Sequence, residues 1–158
     1  MTTFTTKLSG YLAAASAVTW ASGQSLASLT DNEFTDLSDE IDNSTNKYMY
    51  CDLFIKLGSA AFSGTDSGIE CYLIPCINGT DYPTWTGNGT TDEQENDAKF
   101  IGFIATTGTT AAQADAVRDI KLPNGKFKFA FRNRGNVTLA ASGNLVEWRP
   151  HSIIGTDV

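Results

Sequence analysis

The chain is predicted to be all-β, a jelly-roll-like antiparallel β-sandwich of about seven or eight strands with an extended N-terminal arm. Three observations point there. Gly, Ser, Thr, Asn and Asp are abundant while only 18% of the 158 residues are charged, a mixture that suits turn-rich β-proteins better than helical ones. Several segments alternate apolar and polar residues with period two. Turn signals separate them at short, regular intervals. The length fits one domain with a core large enough to need no metal or disulfide.

Residues 1–29 are rich in Thr, Ser and Ala with little periodicity. They suit a short helix or an extended arm, and we assign them as an arm preceding a sandwich over residues 30–158. Residues 11–20 superficially resemble a secretory signal, but Ser16 and Thr19 interrupt a weak apolar run. No stretch of about 18 apolar residues occurs, which argues against a membrane-spanning helix. Residues 34–37 are a candidate short strand. Residues 47–57 (KYMYCDLFIKL) place Met49, Cys51, Leu53, Ile55 and Leu57 on one face. After the turn-forming SGTDSG, residues 69–77 (IECYLIPCI) form a second strand, with Pro75 suggesting an edge or a bulge.

Residues 78–96 form a long loop carrying Tyr82 and Trp85. A nearly all-apolar strand over 99–106 and another over 114–122 follow. Pro123-Asn124-Gly125 is a turn, because proline presets φ and Asn-Gly accepts positive φ. Residues 126–132 (KFKFAFR) put Phe127, Phe129 and Phe131 on one face and Lys126, Lys128 and Arg132 on the other, the clearest buried strand in the chain. Short strands over 137–141 and 145–149 complete the series before Pro150.

The net charge of −7 and pI near 4.5 argue against nucleic acid as a partner, since phosphates need neutralising. Charge is also segregated. Asp31, Glu33, Asp36, Asp39, Glu40 and Asp42 crowd one segment, and Lys126, Lys128, Arg132 and Arg134 another. Either these are complementary patches on neighbouring subunits, or they are two solvated faces.

No catalytic, cofactor or metal motif is legible. The acidic segment lacks EF-hand spacing, as does the cluster Asp92, Glu93, Glu95 and Asp97, although weak calcium binding stays open. Cys71 and Cys76 have no second pair or nearby His for zinc. With Cys51 they make an odd count, so buried free thiols are expected. His151, the sole histidine, is expected at a surface or interface rather than in a triad. Tyr82 and Trp85 have no evident core partner. They could anchor a protein interface, stack on a sugar, or pack over the end of the sandwich.

Three stretches carry a resemblance: residues 20–46 (WASGQSLASLTDNEFTDLSDEIDNSTN), 68–75 (GIECYLIP) and 122–151 (LPNGKFKFAFRNRGNVTLAASGNLVEWRPH). They resemble small virion proteins of tailed phages that include jelly-roll capsid decoration or cement proteins. The resemblance implies a non-enzymatic protein made in the host cytoplasm and located on the capsid surface. It also implies the major capsid protein as partner and self-association into a homodimer or homotrimer. Candidate contact residues are then Asp36, Asp39, Asp42, Tyr82 and Trp85. The alternative is a carbohydrate- or receptor-binding module of a tail fibre, using Tyr82 and Trp85.

Overall fold

The computed structural model describes residues 5–7, 11–63, 67–85, 87, 89–90, 99–108, 110–151 and 154–156. Among these residues ten strands are present: β1 Thr5–Lys7, β2 Ser16–Ala17, β3 Ile41–Asp42, β4 Tyr50–Leu57, β5 Gly68–Pro75, β6 Lys99–Ala105, β7 Gln113–Lys121, β8 Lys126–Arg134, β9 Leu145–His151 and β10 Ile154–Thr156. Eight of them build two four-stranded antiparallel sheets, ordered β2-β9-β4-β7 and β3-β8-β5-β6. The pairs β2–β9, β3–β8, β4–β7 and β5–β6 nest inside one another along the chain. Such nesting is a long hairpin rolled across two sheets, the jelly-roll arrangement.

Alternation explains which side chains fill the space between the sheets. From β4 come Cys51, Leu53, Ile55 and Leu57, from β5 Ile69, Cys71 and Leu73, and from β8 Phe127, Phe129 and Phe131, all buried. Phe127 and Phe129 meet edge-to-face at 5.4 Å, and Trp148 and Trp20 flank the row against Phe127 and Phe131. At Gly102 on β6 the sheets approach so closely that a Cβ would run into the Val117 side chain of β7. Cys51 and Cys71 are buried free thiols, and burial pushes the Cys51 thiol up to about 12. Cys76 is free but only half-buried.

Several expectations require correction. Within the segment 1–29 assigned as an arm, the described residues lie against the sandwich. Thr5–Lys7 pairs with Ile154–Thr156, Ser16–Ala17 pairs with β9, and Val18, Leu26 and Leu29 enter the core. Their apolar residues are too sparse to show a period, yet each fills a gap left by the irregular connections. Residues 137–141 form no strand; Leu139 is buried, and its N–H donates to Leu29 O. Strand β5 is interior rather than an edge. Pro75 is tolerated as its last residue, and the bulge lies at Cys71/Tyr72 in the pairing with β6. Strand β9 runs through Pro150 to His151. Met49 lies outside β4 and is exposed.

Three buried or half-buried asparagines replace regular structure where the chain turns. Asn43 donates to Tyr48 O and Pro123 O and accepts from Tyr48 N. Asn144 donates to Leu26 O and Ala140 O and accepts from Gly58 N. Asn133 donates to Leu29 O and Val137 O and accepts from Gly135 N. One side-chain amide can satisfy three backbone groups that no strand reaches.

Candidate interaction surfaces

The segregated charges meet within the chain. Residues 34–42 run along the free edge of β8, so the acidic segment lies beside the basic strand. Thr35 N and Ser38 N donate to Phe131 O and Phe129 O. In return Phe131 N and Phe129 N donate to the side-chain oxygens Thr35 Oγ1 and Ser38 Oγ. Hydroxyls thus stand in for carbonyls, which explains why only Ile41–Asp42 is regular strand there. Glu40 and Lys126 form an ion pair at 2.8 Å. The hydrogen bond from Lys126 holds the Glu40 carboxyl below its ordinary range.

Two of the three candidate aspartates hold residues 19–24 in place. Asp36 N donates to Gln24 O, and Asp36 O accepts from Trp20 Nε1. A Cβ at Gly23, whose φ is +82, would collide with the Asp36 carboxylate. The Asp39 carboxylate accepts from Thr19 Oγ1 at 2.6 Å and Ala21 N at 2.9 Å. Asp42 is the exposed one, capping the next turn through Ser44 N. Those bonds, Thr19 first, hold the Asp39 carboxyl below its ordinary range. A depressed folded value means stability present above the unfolded pKa and lost as pH falls through the folded one. Asp39→Asn is therefore expected to cost about 1 kcal/mol at neutral pH, a modest figure because the site is solvated. Thermal melts at pH 7 and pH 3 test this, since the gap between wild type and variant should narrow in acid. A gap independent of pH would assign the effect to shape alone.

Tyr82 and Trp85 lie together on the outer face of the β3-β8-β5-β6 sheet. Neither is free. Trp85 Nε1 donates to Thr35 O at 2.8 Å, and the indole packs against Phe34 and Tyr72. Tyr82 donates to Glu40 Oε2 and lies under Lys128 Nζ, 4.8 Å from the ring centroid. Burial, then the Glu40 carboxylate, pushes the Tyr82 phenol above its ordinary range. The expectation that these rings lack partners is corrected: the outer face of the sheet, which sequence does not reveal, supplies them.

Exposed aromatics occur instead at Tyr11, at Phe54 on β4 and, as a pair, on β6. Phe100 is 55% and Phe103 41% exposed. Phe100 touches Tyr72 edge-on, and Phe103 stands opposite Glu70. Strand β6 is the edge of its sheet and has no strand on its outer side among the described residues. Its nearly all-apolar sequence suggests a buried strand, whereas Ile104 alone is buried in it.

A polar cluster occupies the outer face of the other sheet. Asp52 on β4, Asp119 on β7 and His151 on β9 converge, with His151 Nε2 3.5 Å from Asp52 Oδ1 and 3.4 Å from Asp119 Oδ1. The β4–β7 pairing slips between Cys51 and Leu53, setting Arg118 and Asp119 opposite Asp52 alone. Asp119 adopts φ of 54°, and this bulge turns its carboxylate toward the histidine. His151 is buried, stacked on Tyr50 and edge-on to Tyr11. This corrects the expectation of a surface position. Tyr11 Oη and Asp119 N donate to Asp52, and Arg118 lies 3.4 Å from it. Burial opposes ionisation of Asp52, but those bonds, with the His151 and Arg118 charges, outweigh it and lower its pKa. A shallow groove of about 290 Å³ adjoins, lined by Tyr11, Phe54, Arg118, Glu147 and Arg149.

No known family model matches this chain, and no curated protein sequence matches it. Sequence reading missed the cluster because its members are 67 and 32 residues apart along the chain. The outward position of Asp52 in the β4 alternation was its one local signal.

Proposed function

We propose that this chain is a non-enzymatic virion structural protein that decorates or cements a capsid shell. The observation supporting it most is the β6 edge, which carries two exposed phenylalanines and has no further hydrogen-bonded strand beside it among the described residues. An edge of this kind offers backbone hydrogen bonds and apolar area to another polypeptide. The chain resemblance names the partner class as the major capsid protein and further copies of this chain. A protein that binds only the assembled shell stabilises that state by mass action, and many copies multiply a modest contact. The contact through Asp36, Asp39 and Asp42 suggested by sequence is not needed in this reading, since the Asp39 carboxylate and the Asp36 backbone are engaged within the chain.

Co-sedimentation with purified capsids lacking this protein tests the reading. Saturable binding at a fixed ratio to the shell subunit is expected, with greater heat resistance of the shell. The double variant Phe100→Asp, Phe103→Asp should bind at least about ten-fold more weakly while remaining folded, because loss of anchor aromatics costs more than 1 kcal/mol each at an interface core. Full binding by the variant would move the contact off β6. No binding by the wild type would sink the decoration reading. Saturable sugar binding lost in Trp85→Ala would replace it with the tail-fibre module.

A further inference from the structure

We propose that Asp52, Asp119 and His151 hold a divalent transition-metal ion, with zinc the best fit. The three ligand atoms, two carboxylate oxygens and one imidazole nitrogen, lie within 4.8 Å of one another. His151 Nε2 is 3.4–3.5 Å from a carboxylate oxygen on each side. Charge-assisted N–H···O bonds close to about 2.7–2.9 Å, so the imidazole nitrogen lies beside both acids and at that bond length from neither. Tetrahedral ligands at the usual Zn–N and Zn–O lengths of about 2.0–2.2 Å stand about 3.4 Å apart. The two histidine–carboxylate spacings are those of ligands around an ion.

The supports fit the same reading. His151 is 9% exposed, and Tyr50 stacks on its ring at 5.8 Å, so the imidazole has one orientation. Tyr11 Oη and Asp119 N fix the Asp52 carboxylate, the outer-shell bonds that metal ligands characteristically have. The side chain of Asp119 is 79% exposed, which leaves an entry path from solvent. Arg149 stands opposite Asp52 in the β4–β9 pairing, and Arg118 is the opposing charge in contact with it. It contacts Asp52 Oδ2 rather than the Oδ1 that faces the histidine, and its side chain is 69% exposed.

One imidazole with two carboxylates favours zinc, cobalt or manganese over calcium, which takes six to eight oxygen ligands. Three protein ligands leave a position for water or for a group from a neighbouring molecule. Because the ligands come from adjacent strands β7, β4 and β9, the ion would clamp that sheet across its width.

Isothermal titration calorimetry of the full, untagged chain with ZnCl₂ tests the proposal, with Co²⁺ absorption spectra as a second probe. One saturable site per chain is expected, together with a rise in Tm, a visible cobalt band and no such rise with equimolar CaCl₂. Asp119→Asn and His151→Gln should each weaken binding at least ten-fold. Asparagine tolerates the left-handed backbone, so the metal-free Tm of the first variant should stay close to wild type. Cys76→Ser should leave binding unchanged. The proposal is overturned if zinc, cobalt and manganese all fail to bind saturably, or if both ligand variants bind as tightly as wild type.

Discussion

Phe129→Ala is expected to destabilise the protein by about 3–5 kcal/mol, the usual range for removing a fully buried phenylalanine. Phe129 is wholly buried between the two sheets. It is the middle of a row, contacting Phe127 at 5.4 Å and Phe131 at 6.4 Å. Strand β8 pairs with β5 on one side and with β3 on the other, so neighbouring backbone cannot collapse into the space. Both the lost transfer free energy and the cavity therefore count. Domains of this size are stable by about 5–15 kcal/mol, so the loss is a large share of the total. Urea unfolding measures it, as a lower midpoint with unchanged slope. Phe100→Ala is the control: on the exposed edge strand it should change stability by no more than about 0.5 kcal/mol. A loss under about 1 kcal/mol for Phe129→Ala would mean that the row does not hold the sheets together.

Asn133→Ala should cost about 2–4 kcal/mol, although the residue carries no charge and removes little volume. Its amide group donates to Leu29 O and Val137 O, and its Oδ1 accepts from Gly135 N. Asn133 is itself fully buried, so water cannot readily replace those bonds. Each buried group left unsatisfied costs about 1–3 kcal/mol, and Leu29 O keeps Leu139 N as a second donor. The loss for a chain of this length corresponds to a Tm lower by roughly 5–15 °C. Asn133→Asp should be at least as damaging, since it discards both donors and buries a carboxylate. Differential scanning calorimetry checks both variants. A Tm within about 2 °C of wild type would show that solvent satisfies the loop.

The strands of the core were legible wherever one face of a strand alone is buried. KYMYCDLFIKL and KFKFAFR alternate because only every second residue enters the core, and the inward sets from Cys51 to Leu57 and from Phe127 to Phe131 follow directly. Strand β6 misled for the converse reason. Its nearly all-apolar sequence gives no alternation to assign faces, and Phe100 and Phe103 face outward from an edge. The irregular stretches were opaque. Residues 18–29 and 137–141 are held by bonds such as Leu139 N to Leu29 O and Asn133 Nδ2 to Leu29 O, which leave no period to detect.

The sites divide along the same line. Sequence singled out the acidic and basic segments by composition, and the structure sets them side by side through Glu40–Lys126 and the Thr35 and Ser38 hydroxyls. It singled out Tyr82 and Trp85 as aromatics in a polar loop, while their partners Glu40, Lys128, Thr35 and Tyr72 come from distant segments. The cluster of Asp52, Asp119 and His151 lay beyond any local reading, because it depends on a one-residue slip between β4 and β7.

What the sequence by itself determined is the all-β class, the faces of the two best strands and the turn at Pro123-Asn124-Gly125. Each of these depends on neighbours within a few residues, through side-chain alternation or restricted φ. Only the tertiary structure decided which strands share a sheet, which edge stays exposed, and which charged groups meet. Those outcomes depend on pairing between residues tens of positions apart, where register and bulges, not local preference, set what touches what.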